Sequence, residues 1–133
     1  MICVLDASAM IALIRRELGE AFVWAHLSDP GITCFAHAIN LCELYYDFYR
    51  DAGETLAGSA IDDLKALGVI ERNDFDEAFW KEAGRLKVRG KVSLADCCAI
   101  TLTNRVGGTL LTSDHHELDV IAVAGICSIT FIR

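Results

Sequence analysis

Ile2-Cys3-Val4-Leu5-Asp6-Ala7-Ser8-Ala9 decides the fold. An apolar run ends on a carboxylate, and a small residue and a hydroxyl follow before a helical pattern begins. Short apolar runs alternate with helix-period segments along the rest of the chain, the signature of a parallel α/β sheet. The runs at 2–5, 32–35, 69–71, 109–111 and 128–132 predict about five strands. Helical patterns cover 8–15, 17–27, 37–50, 54–67, 74–88 and 93–106, with a short one at 118–124. Ser8 is the expected N-cap of the first helix.

The chemistry lies in four carboxylates that interrupt or close apolar stretches. Asp6 closes the first strand, and Asp114 follows Thr109-Leu110-Leu111-Thr112-Ser113. Glu43 sits within Ile39-Asn40-Leu41-Cys42-Glu43-Leu44, and Asp96 within Val92-Ser93-Leu94-Ala95-Asp96-Cys97-Cys98. Unpaired charge in such places is costly. Carboxylates gathered at the ends of buried elements commonly bind a hard divalent cation, which offsets their repulsion. In open parallel sheets the ligand crevice lies beyond the carboxyl ends of the strands, so Asp6 and Asp114 point at one rim. Each acid also has a plainer reading. Asp96 completes a capping-box spacing from Ser93, and Asp6 can serve as a turn residue. Glu43 resists that treatment, because Leu41, Cys42, Leu44, Tyr45 and Phe48 surround it.

At 133 residues the chain is read as one domain, 1–133. A hydrophobic content of 53% with mean hydropathy +0.36 is rich for a small monomer, so an apolar patch covered by a partner is expected. The N-terminus has no basic segment, and no late apolar stretch is long enough to span a bilayer; no membrane association and a cytoplasmic location are expected. Six cysteines without metal spacing are read as reduced core residues.

The net charge of −7 disfavours a nucleic-acid partner. Its distribution softens that objection, since Lys81, Arg85, Lys87, Arg89 and Lys91 lead directly into Asp96, and Arg15 and Arg16 end the helix that begins beside Asp6. A solvated face and a phosphate track both remain open for these cations. His115-His116-Glu117 lacks zinc-site spacing and is read as turn residues flanking the site. Tyr45, Tyr46, Phe48 and Tyr49 cannot all face one core, so some are exposed or covered by a partner.

These motifs resemble, in order, those of the PIN-domain nucleases. Val4-Leu5-Asp6-Ala7-Ser8-Ala9 is similar to the first motif and Leu41-Cys42-Glu43-Leu44 to the mid-chain glutamate helix. Ser93-Leu94-Ala95-Asp96 with Ile100 and Thr101 resembles the third motif, and Leu111-Thr112-Ser113-Asp114 with Leu118 the fourth. Leu118 stands where phenylalanine is common, and Cys97-Cys98 and His115-His116 are atypical, but every carboxylate is kept. The length is similar to that of compact VapC-type toxins of toxin–antitoxin pairs.

The resemblance implies a PIN-like α/β/α sandwich around a central, mainly parallel sheet, and a Mg²⁺- or Mn²⁺-dependent endoribonuclease. By it, Asp6 and Asp96 are primary metal ligands, with Glu43 and Asp114 ligands directly or through water. Ser8, Thr112 and Ser113 are candidates to hold water or carboxylates. Arg15, Arg16, Lys87, Arg89 and Lys91 are candidates to contact RNA. The implied partners are RNA, a cognate antitoxin and a second copy in a homodimer or larger assembly. A receiver-like signalling domain would want an acidic pair after strand one and a lysine after the last strand, and neither is present. A non-catalytic PIN-like RNA-binding or interaction module is the remaining alternative.

Overall fold

The structure, a computed structural model, describes residues 1–133. Its five strands are β1 (Ile2–Leu5), β2 (Thr33–His37), β3 (Ile70–Arg72), β4 (Thr109–Thr112) and β5 (Ile129–Phe131). Between them lie α1 (Ala7–Arg15), α2 (Glu20–Leu27), α3 (Ala38–Ala52), α4 (Glu54–Ala66), α5 (Glu77–Arg89), α6 (Leu94–Val106) and α7 (His115–Val123). The strand order is β3-β2-β1-β4-β5, and every neighbouring pair is parallel. The sheet is thus wholly rather than mainly parallel.

Alternate residues of the central strands β1, β2 and β4 feed two cores, which is why those runs read as mostly apolar. On one face Cys3, Leu5 and Leu111 pack with Met10, Leu13, Val23, Leu41, Leu44 and Leu64 of α1 to α4. On the other, Val4 and Leu110 pack with Phe79, Leu86, Cys97, Ile100, Leu118 and Ile121 of α5 to α7. The result is an α/β/α sandwich.

The topology creates one crevice. From β1 the chain winds outward to β2 and β3; from β4 it winds the opposite way to β5. Where neighbouring strands diverge in this manner, the connections leave a cleft at their carboxyl ends. Asp6 and Asp114 follow the two strands that flank it.

Several local readings change. Asp6, not Ser8, caps α1: its Oδ1 accepts the Ala9 N–H at 2.9 Å. The helix expected from 17 starts at Glu20, after Gly19 at φ 101. His115-His116-Glu117 are not turn residues but the first turn of α7, capped by Asp114. Of the cysteines read as core, Cys42 is exposed; the other five are buried, and all six are free thiols. No helix is long and apolar enough to cross a membrane.

Two glycines test how tightly the sheet is packed. A Cβ added at Gly108, just before β4, would lie 2.8 Å from the Ile2 carbonyl oxygen, a backbone atom that cannot swing aside. One added at Gly84 in α5 meets nothing within 4 Å. Urea titration should therefore give opposite signs: Gly108→Ala destabilises by about 1–3 kcal/mol, and Gly84→Ala stabilises by up to about 1 kcal/mol through helix propensity.

Candidate active site

The crevice holds a polar cavity of about 200 Å³ lined by Asp6, Glu43, Asp96, Asp114 and Glu117 with Ser8 and Ser93. All four acids singled out in the sequence meet there, and a fifth, Glu117, joins them. Asp6 and Asp96 are only 2% and 7% exposed. Single oxygens of Asp96, Asp114 and Glu117 lie within 4.8 Å of one another. None of the five carboxylates has a lysine or arginine within ion-pair distance, and Lys87 acts on Glu117 only at longer range.

Helix starts converge on the cavity. The caps of α1, α6 and α7 are Asp6, Ser93 and Asp114, each accepting a backbone N–H of its own first turn. Free N–H groups and the helix dipole favour negative charge at those ends. The capping reading of Asp96 and its place in the cavity are therefore compatible. Ser93 Oγ accepts the Asp96 N–H at 3.1 Å, while the Asp96 carboxylate is left for the crevice.

A hydroxyl relay ties β1 to β4. Ser8 Oγ donates to Asp6 Oδ1 at 2.7 Å and accepts the Ser113 N–H at 2.9 Å. Thr112 Oγ1 lies 3.3 Å from Ser8 Oγ and accepts the Asp114 N–H at 3.0 Å. Ser8 and Thr112 thus enter the network through their side chains and Ser113 through its backbone.

Two participants, Asn40 and Glu117, are not expected from the sequence as members of the site. Asn40, fully buried one turn before Glu43, donates from Nδ2 to the Ala95 carbonyl at 3.3 Å, and its Oδ1 has no partner. It joins the Glu43 helix to the Asp96 helix. Its signal was a lone amide in an apolar helical run, three residues before the glutamate and so on the same face. Glu117 carried a spacing signal too, because Asp114-x-x-Glu117 repeats the spacing of Ser93-x-x-Asp96. Its Oε2 accepts the Ser93 N–H at 3.1 Å.

The acids repel and desolvate one another. Burial pushes the Asp6 carboxyl above its usual range, partly opposed by hydrogen bonds from Thr112, Ser8 and Ala9. Burial likewise raises Glu43, and the Asn40 amide opposes it. Asp96 is pushed up to about 8, by burial first and then by a hydrogen bond with Glu117 and the charge of Asp6. Glu117 is lowered, chiefly by that bond with Asp96. The two titrate as a pair whose proton favours the more buried Asp96. An all-oxygen donor set of high negative charge fits a hard divalent cation.

The chain's cations divide sharply. Of twelve lysines and arginines, nine lie within 4.0 Å of a carboxylate, and the three that do not are Lys87, Arg89 and Lys91. Lys87 Nζ donates to the Val92 carbonyl at 2.8 Å. Arg15 is neutralised by Asp47 and Asp51 at 3.0 and 2.8 Å and lies over the Phe48 ring, bracing α1 on α3. Arg16 is exposed and 4.0 Å from Glu20.

The family model described as PIN domain matches residues 3–123. No curated protein matches the sequence. Among solved structures, the chain is similar to VapBC2 from Rickettsia felis bound to a promoter DNA fragment, with 18% identity, TM-score 0.75 and 98% of each chain covered. It is also similar to Mycobacterium tuberculosis VapC20, described as a sarcin-ricin loop cleaving toxin, with 18% identity, TM-score 0.72 and 92% and 95% covered. A third is DNA-bound VapBC from Salmonella typhimurium, at 14% identity and TM-score 0.75 over 100% and 99%.

The raised Asp96 carboxyl makes the metal-free protein sensitive to pH. Folded Asp96 keeps a proton that the unfolded chain releases near its ordinary value of 3.8, so stability falls as pH rises from about 4 towards 8. The slope from one group is at most about 1.4 kcal/mol per pH unit. Thermal melts in EDTA should show this loss, and Asp96→Asn should flatten it.

Proposed function

The chain belongs to the PIN-domain family, and on that premise we propose that it is a metal-dependent endoribonuclease, the toxin of a toxin–antitoxin pair. One observation carries the reading: five carboxylates without a counter-cation share the crevice, beside the chain's three unpaired basic residues. Mg²⁺ or Mn²⁺ fits the donor set, with Asp6 and Asp96 as primary ligands and Glu43, Asp114 and Glu117 completing the site directly or through water. When bound, the ion supplies Lewis-acid chemistry, making water a better nucleophile and offsetting charge that builds at phosphorus.

The protein's own groups supply position. Asp6 is held by Ser8 Oγ and the Ala9 N–H, and Asp114 caps α7, so neither needs to reorganise as charge develops. Glu43 and Glu117, less buried than Asp6 and Asp96, orient the attacking water or take its proton. Asn40 holds α3 on α6 and so keeps Glu43 opposite Asp96. Lys87, Arg89 and Lys91 contact RNA phosphates, which position the strand without reading bases.

For the antitoxin, a cleft of about 480 Å³ between α1, α2 and α4 offers Leu13, Ile14, Trp24 and Leu67 to apolar side chains of a partner helix, with Arg16, Glu20 and Asp63 at its rim. The likeness to solved toxin–antitoxin complexes supports that partner. Exposed Tyr46 and Tyr49 on α3 offer further surface for a second copy.

Cleavage of RNA by the purified protein, with Mg²⁺ or Mn²⁺ and with EDTA, is the primary test. Asp6→Asn and Asp96→Asn should each abolish metal-dependent cleavage while the fold persists; near-normal activity in both would refute the site. Neutralising Lys87, Arg89 and Lys91 together should weaken RNA binding and flatten its log–log salt dependence by about 0.7 per lost single-strand contact, independent of sequence. An unaltered slope would make these residues a solvated helix end.

A further inference from the structure

Beside the acids lies a second cavity with different chemistry. It is a slot of about 430 Å³ between the α5–α6 junction and α7, at the low end of sizes that hold small organic groups. Its floor is apolar, built from Leu86, Val92, Ile121 and Ile126, and its lip carries Val120, 71% exposed. Arg89 and Lys91, two of the three cations without a carboxylate partner, stand at the rim. Glu117 lines both this slot and the acidic cavity, so the two are contiguous.

We propose that this slot is a base subsite, taking one unpaired nucleobase of the RNA strand next to the phosphate held at the acids. The inference rests on the ribonuclease reading and specifies its substrate as unpaired at that nucleotide. Each part of a nucleotide finds its complement. The faces of a base are apolar enough to fill the floor, and its flanking phosphates match the rim cations, which nothing else in the chain neutralises. An apolar side chain from a protein partner would fill the floor and leave both cations unmatched. A base drawn out of a stack into the slot also orients the adjoining phosphate towards Glu117 and the acids, so the subsite would set where the strand is cut.

The test uses a short single-stranded RNA that the protein cleaves, with each nucleotide near the scissile bond replaced in turn by an abasic one. One position should stand out, its replacement raising KM about tenfold, as expected from the loss of one base contact. Val120→Trp, a change at the exposed lip, should raise KM for the intact RNA by a similar factor and abolish the penalty at that position. A variant that keeps both the wild-type KM and the abasic profile overturns the proposal. A variant that keeps RNA recognition but loses its antitoxin would instead assign the slot to a peptide side chain.

Binding to the Asp96→Asn protein separates the subsite from catalysis. A fluorescent base analogue placed at each position of the RNA in turn should change emission on binding at one of them, and Val120→Trp in that background should remove the change. If the wild-type protein cleaves no RNA, the ribonuclease reading fails, yet this arm still reads the slot. Base-dependent binding lost in the tryptophan variant supports the subsite, and base-independent binding overturns it.

Discussion

Like charge packed without a counter-charge is the constraint on which the rest of this molecule turns. Five carboxylates line about 200 Å³, two of them almost fully buried, and no lysine or arginine of the chain forms an ion pair with them. A fold that only had to be stable would replace such a cluster with apolar side chains. Here the surrounding structure is organised to hold it. Three helices begin at the crevice, the Ser8–Thr112 relay locks the two central strands together there, and Asn40 joins two helices behind it.

The same electrostatics account for the distribution of basic residues. An acid-rich chain can neutralise most of its cations internally, and nine of twelve are so engaged. Arg15 shows the structural use: it lies between Asp47 and Asp51 and holds α1 against α3. Arg72 and Arg105 show it again, converging on Asp74, whose carboxyl the Arg72 guanidinium holds down to about 2. Lys87, Arg89 and Lys91 escape this neutralisation at the end of α5, beside the acids. Overall charge is therefore a poor guide to the field near the crevice, which is set by unpaired groups.

Much of this was legible in the chain. A strand buried on both faces is apolar along most of its length, so β1, β2 and β4 declared themselves, and a carboxylate ending such a run had to sit at the sheet's rim. What escaped was side-chain direction within the first turn of a helix. Ser8 was expected to cap α1, yet Asp6 does so, because its carboxylate reaches the Ala9 N–H while Ser8 turns back to Asp6 and Ser113. Glu117 was passed over because His115-His116-Glu117 read as a turn; once Asp114 caps a helix there, Glu117 is brought round to face Ser93. Asn40 was missed for another reason: a lone amide in an apolar helical run marked it, but its partner, the Ala95 carbonyl, is 55 residues away and no local pattern identifies that contact.

Proton release on metal binding tests the central claim most directly. Titrating Mn²⁺ or Mg²⁺ into the metal-free protein at pH 7, in two buffers of different ionisation heat, measures how many protons leave as the ion enters. If the acids form one metal site, binding expels the proton shared by Asp96 and Glu117, giving about one proton released per chain. Asp96→Asn should bind more weakly and release fewer protons than the wild type. Saturable binding with no proton release, or no binding to the wild-type protein, would contradict the account.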